Sequence, residues 1–417
     1  MKLKPVGYFV LLPLLLSGCG NGKFYNVVDE TFGIDFDVPS YEVKQSITPF
    51  EEEKLYWHGR TYKEKEKGCV WFSFSNSGFE VTFFGTALDA DFIANQTDSD
   101  ENRPYIAVAL DGDYEPSHAK AIRLTSVGQY SNASSREGEF TIHKHVNLCH
   151  GLEEGVHTVR VYKRSECQTS LLGLTLLSTD GSFLPVQKKE TSLNIEVYGD
   201  SVTCGYAIES NDYYEKFSTR TENSMYAFPN IAANILDADI SLVCAGGYGL
   251  YDSYYSGSNT PNNIAKMFSL ADFRWQTTEY HEWDNSCYVP DVVIIALGAN
   301  DGSWLNHKDE SEHASYLNLF KRAYLDFLEK IYQTYPNTTV VASSEIVPFG
   351  EAIPTKIEEA LSQWNSLHPN QKAHRFVEDA FYQAEDRTTP GEGHPNIEMN
   401  KIAGKQLADF IREIIAD

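Results

Sequence analysis

The hydrophobic period of this chain changes once, near Gln187, and the change divides it into two unlike architectures. Before that point apolar residues alternate with polar ones. Val70-Trp71-Phe72-Ser73-Phe74-Ser75, Phe79-Glu80-Val81-Thr82-Phe83, Tyr105-Ile106-Ala107-Val108-Ala109-Leu110 and His157-Thr158-Val159-Arg160-Val161-Tyr162 all do so. Asn76-Ser77-Gly78, Asp111-Gly112-Asp113 and Asp180-Gly181 separate strands with turn chemistry. Short alternating strands without a helical period predict an antiparallel β-sandwich, of jelly-roll size, over 46–187. The Lys63-Glu64-Lys65-Glu66-Lys67 run reads as a solvated turn.

After Gln187 strands alternate with helices. Leu193–Tyr198, Ile240–Cys244, the continuous apolar run Val292–Leu297 and Thr338–Ser343 read as strands. A run apolar on both faces is expected of a strand covered on both sides. Helices are expected at about Met225–Leu236, Ser315–Tyr335, Pro354–Leu367 and Met399–Ile415. Leu319, Tyr324, Leu328 and Ile331 would share one face of the second. This pattern predicts an α/β domain over 188–417, a parallel sheet flanked by helices.

The N-terminus reads as an address. Lys2 and Lys4 precede an apolar stretch, Val10–Leu16, too short to span a bilayer, so 1–19 is expected to be a signal peptide. Leu16-Ser17-Gly18-Cys19 resembles a bacterial lipobox. That resemblance implies acylation of Cys19, a tether over 20–45, and an exported lipoprotein whose only membrane attachment is its lipid, on the periplasmic face or the cell surface. The formal charge of −25 argues against nucleic-acid partners. Cys69, Cys149, Cys167, Cys204, Cys244 and Cys287 remain; they allow 15 pairings or stay free thiols. None has zinc spacing, so no metal is expected.

Three short segments lie where parallel strands would end, the edge at which open α/β sheets bind ligands. Gly199-Asp200-Ser201 presents a hydroxyl at a tight turn, although Ser there also suits a helix N-cap. Gly298-Ala299-Asn300-Asp301 offers a side-chain amide. Gly393-His394-Pro395 offers an imidazole. Together they supply a nucleophile, oxyanion donors and a general base.

This set resembles the SGNH (GDSL) hydrolase superfamily, with Gly247 standing for its second block. Gly199-Asp200-Ser201-Val202-Thr203-Cys204-Gly205-Tyr206 is similar to the nucleophile motif of carbohydrate esterase family 2. Glu222-Asn223-Ser224, Trp283-Asp284 and Gly298-Ala299-Asn300-Asp301-Gly302 are similar to its later segments. That family carries a jelly roll before its hydrolase domain. The resemblance implies Ser201 as nucleophile, His394 as base, and the Ser201 and Gly247 N–H groups with the Asn300 amide as oxyanion hole. The superfamily usually places Asp three residues before the His; here Gly391 stands there. Either Glu392 or a backbone carbonyl would orient His394. Asp200 reads as structural, and Trp304 as a wall for a sugar face or a packing residue.

The implied activity is a cofactor-free serine esterase, removing O-acetyl groups from xylan- or mannan-type glycans through an acyl-enzyme. The alternatives are another SGNH esterase, thioesterase or lipase, and a non-catalytic glycan-binding lipoprotein.

Overall fold

The computed structural model describes residues 41–95, 100–124, 141–168, 170–186, 193–253, 263–273, 280–343, 346–348 and 350–416. The signal, Cys19 and most of the expected tether lie outside them, as does the junction at 187–188. The chain already forms a strand at Gln45–Ile47, paired with Leu172–Thr179.

The first half is a sandwich of two six-stranded antiparallel sheets. One runs Thr61–Glu64, Cys69–Phe72, Leu172–Thr179, Leu88–Asn95, Thr141–Cys149. The other runs Ser182–Leu184, Gly78–Gly85, Gly155–Lys163, Tyr105–Leu110, Lys120–Arg123; the sixth strands are Gln45–Ile47, beside Leu172–Thr179 in the first sheet, and Leu55–His58, beside Gly78–Gly85 in the second. Alternation along these strands sends Phe72, Phe79, Val81, Phe83, Phe92, Val159 and Val161 into one core, all fully buried.

The second half holds a five-stranded parallel sheet, in the order Asp239–Cys244, Asn194–Gly199, Val292–Ala296, Thr339–Ser343, Ala373–Phe376. Separate apolar clusters cover its two faces. The last strand, Ala373-His374-Arg375-Phe376, was not expected from the sequence. It is a short edge strand without an apolar run. The long helix spans Glu310–Thr334 and buries Tyr324, Leu328 and Ile331. Leu319 is 45% exposed, correcting its place on that face. Phe320, four residues before Tyr324, fills the helical position instead. The expected helix from Met225 starts later, at Phe228, because Pro229 suits only a first turn. Among the described residues no helix is long and apolar enough to cross a membrane. All six described cysteines are free, five of them buried.

The sandwich meets the parallel-sheet half at several buried points, two of which bear on the site. Arg60, in the turn between Leu55–His58 and Thr61–Glu64, is wholly buried against Glu196 of the Asn194–Gly199 strand. Its guanidinium reaches Glu196 Oε1 twice (3.2 and 2.9 Å), Tyr198 Oη (3.0 Å), and the carbonyls of Met267 (3.1 Å) and Leu270 (2.8 Å). The segment after Gly155–Lys163 runs beneath the strand ends that carry Ser201 and Gly247. Cys167 packs there with Val243, Ala245 and Tyr248.

Candidate active site

Ser201 opens a one-turn helix, Ser201–Cys204, directly after the Asn194–Gly199 strand. The turn is tight enough that a Cβ on Gly199 would sit 2.0 Å from Thr203 Oγ1. Asp200 caps the turn, accepting from the Val202 N–H at 3.1 Å, and is buried. Its other oxygen accepts from the Asn300 amide at 3.2 Å. Asp200 thus ties the first and third segments together, the structural role its position suggested.

Ser201 Oγ lies 2.8 Å from His394 Nε2, and His394 Nδ1 lies 2.6 Å from the Gly391 carbonyl. A carbonyl only accepts, so Nδ1 carries the proton and Nε2 is left to accept from the Ser201 hydroxyl. Burial pulls the imidazole below the usual histidine range, against the opposing pull of the Gly391 carbonyl. Glu392 does not orient the ring. It is exposed and the Gly391 carbonyl already occupies Nδ1. Three successive positive φ angles, 56° at Gly391, 60° at Glu392 and 118° at Gly393, turn that carbonyl onto the ring. An Asp at 391 has no room: a Cβ there would lie 2.5 Å from Tyr206 and 2.6 Å from Ala207. The segment is further held by the carbonyls of Asp212 and Tyr213, which accept from the Gly391 and Glu392 N–H groups. Tyr206 lies against the imidazole, ring centroids 4.3 Å apart.

Gly247 follows the Asp239–Cys244 strand at φ 79° and is partly exposed at the same edge. The Asn300 amide rests between Asp200 and the Tyr248 carbonyl (3.2 Å each). The neighbouring Asp301 is buried and accepts from three consecutive N–H groups, Leu250, Tyr251 and Asp252. Burial nevertheless pushes its carboxyl up to about 7. It fixes the loop that follows Gly247. Trp304 is half-buried on the Ala299–Leu305 helix, its ring stacked toward His307 with Lys308 5.4 Å from its centroid. Asn223 caps the turn Ser224–Tyr226, and Asp284 caps Asn285–Cys287. The Trp283 ring lies 5.7 Å from the Arg60 guanidinium.

Sequence reasoning missed Arg60 and Glu166. Each is a charged residue in a sandwich turn, where the local pattern indicates solvent.

The model of the GDSL-like lipase/acylhydrolase family matches residues 195–407. An acetylxylan esterase / glucomannan deacetylase of Cellvibrio japonicus is 31% identical over 65% of this chain and 70% of its own length. The cellulase/esterase CelE of Acetivibrio thermocellus is 25% identical over 88% of this chain, which spans 40% of CelE. A solved family two carbohydrate esterase from Cellvibrio japonicus superposes with a TM-score of 0.70 at 24% identity, covering 89% of this chain and 98% of that one. Its agreement in fold extends through the sandwich. With half the chain matched by the family model and a relative of this identity spanned over most of its length, the chain belongs to the GDSL-like lipase/acylhydrolase family.

Proposed function

We propose that the protein is a serine esterase that removes O-acetyl groups from a neutral polysaccharide or oligosaccharide of the xylan or mannan type. The observation that carries this is the Ser201 Oγ–His394 Nε2–Gly391 carbonyl chain at the sheet's C-terminal edge. The name of the Cellvibrio relative supports the acetylated glycan class.

Ser201 attacks the acetyl carbonyl while Nε2 takes its proton. The carbonyl oxygen becomes an oxyanion facing the N–H groups of Ser201 and Gly247. The Asn300 amide joins them by giving up one of its two 3.2 Å contacts. The ester C–O bond then breaks as His394 gives the proton to the leaving sugar oxygen, and water repeats the sequence on the acyl-enzyme, releasing acetate and restoring the Ser201 hydroxyl. The imidazolium formed on the way meets a carbonyl dipole rather than a carboxylate, a dyad in place of a triad. Trp304 is assigned to contact the sugar beside Asn300. The N-terminal Cys19 is assigned as the acylated residue that would hold the exported enzyme at a membrane.

Hydrolysis of p-nitrophenyl acetate and acetate release from acetylated xylan and glucomannan test the reading. Ser201→Ala and His394→Ala should each lower kcat by at least about 10³-fold. Wild-type turnover by Ser201→Ala would overturn it. Preference for acyl chains longer than about four carbons would favour a lipase-like acylhydrolase instead.

A further inference from the structure

We propose that Glu166, supplied by the sandwich domain, is a positioning residue for the oxyanion loop of the hydrolase domain. It would hold the Gly246–Gly247 backbone so that the Gly247 N–H meets the reacting oxygen. The inference rests on the esterase reading above and extends it to a residue outside the hydrolase domain.

Glu166 lies three residues beyond the Gly155–Lys163 strand and is 1% exposed. Its Oε2 accepts from the Gly246 N–H at 2.5 Å, and Cys204 Sγ, at the end of the Ser201 helix, lies 3.7 Å away. Gln168 completes a clamp: its amide nitrogen lies 2.5 Å from Glu166 Oε1 and 3.1 Å from the Gly246 carbonyl. The peptide groups on both sides of Gly246 are thus fixed from the sandwich side, one residue before the assigned donor. Space agrees with this. A Cβ on Gly246 would lie 3.1 Å from Glu166 Oε2, so the glycine leaves room for the carboxylate.

The Glu166 backbone is itself held from behind. Glu222 Oε2 accepts from the Glu166 N–H at 3.1 Å. Lys163 Nζ donates to the carbonyls of Ser165 and Glu166 (2.8 Å each). Burial raises both acids above the usual carboxylate range and lowers Lys163 to about 8. Glu166, Glu222 and Cys204 could also be read as a cation site. The groups within hydrogen-bond reach of the Glu166 carboxyl are N–H and S–H donors, which fit carboxyl oxygens that accept.

The experiment compares Glu166→Ala, Glu166→Gln and Gly246→Ala in the full chain, using aryl acetates and the matching thionoesters. An oxyanion hole distinguishes developing O⁻ from the larger S⁻, so the oxygen-to-thiono rate ratio reports donor placement. Losing one oxyanion donor costs about 10²–10³ in rate. Glu166→Ala should therefore lower kcat by up to about 10²-fold, with KM changed less than about threefold and the ratio compressed. Glu166→Gln faces donor with donor, and Gly246→Ala presses on the carboxylate; each should lower kcat about tenfold, and they keep the test alive if the alanine variant fails to fold. His394→Ala is the control: it slows both esters and leaves the ratio unchanged. Unchanged kcat in all soluble Glu166 and Gly246 variants would overturn the proposal. So would an equal fall for both ester types, which marks a scaffold role, or loss of wild-type activity on chelation, which marks a metal site. An active Ser201→Ala would instead sink the esterase reading itself.

Discussion

The sandwich sets several buried charged groups against the hydrolase domain, and two of them, Arg60 and Glu166, are built differently. At Arg60 the five N–H donors meet five acceptor contacts, and the charge is matched by Glu196. At Glu166 two acids face one lysine, and Glu222 Oε1 is buried without a hydrogen-bond partner. The first cluster packs against the face of the sheet, with Tyr198 and Tyr335 closing it. The second touches the loop beside Ser201. A saturated pair suits a joint. An acid-rich, incompletely paired cluster costs stability, and it lies where the backbone of the site needs to be held.

The comparison breaks first at Arg60. Arg60→Met leaves the buried Glu196 unpaired, and should destabilise the protein by about 3–5 kcal/mol. Thermal unfolding should show the loss, while kcat per folded molecule stays within about twofold of wild type. A large kcat defect at full folding would mean that both joints serve the site. Adding Glu196→Leu should recover much of the stability, since paired removal leaves no orphaned charge.

Glu222 sharpens the other side. Its folded carboxyl is raised by burial above the ordinary value near 4.3. For a raised acid, folding is favoured by the protonated form. Its contribution is complete below the unfolded pKa and is lost as pH rises toward the folded value. Glu222→Gln should remove that loss. The variant should match wild type in acid and exceed it at pH 7 in urea unfolding followed across pH. A destabilised variant at pH 7 would show that the charged form of Glu222 is needed.

The two joints were also the least legible part of the sequence. The sandwich could be read because Phe79, Val81 and Phe83 alternate on one strand. The hydrolase sheet could be read because Val292–Ala296 is apolar on both faces. Ser201, Asn300 and His394 could be read because each stands just beyond an element end, where side chains reach the sheet edge. Arg60 and Glu166 gave no such signal. A charged residue in a turn predicts solvent, and only the distant chain that covers it reverses this. In the sequence the orienter of His394 stays open between Glu392 and a backbone carbonyl for another reason. It is a main-chain carbonyl, and a sequence names side chains only. The bulk of Tyr206 and Ala207 around Gly391, visible only in three dimensions, excludes the usual Asp.

That carbonyl gives the smallest effect and the last test, because it separates the ionisations of the site from those of the joint. His394 must be neutral to accept the Ser201 proton, so kcat/KM should fall as pH drops through its folded pKa. Burial holds that value below the ordinary histidine value near 6.5, with the Gly391 carbonyl and the nearby Glu392 charge opposing the shift. Activity should therefore persist to lower pH than an ordinary imidazole would allow. Glu392→Gln removes the opposing charge without touching the Nδ1 hydrogen bond, and should move the acid limb to slightly lower pH with kcat at its plateau unchanged. Glu222→Gln should leave the limb in place, because the joint acts through backbone geometry and not through the proton on His394. A limb that follows Glu222 would merge site and joint into one titrating unit and erase the distinction drawn between the two buried ions.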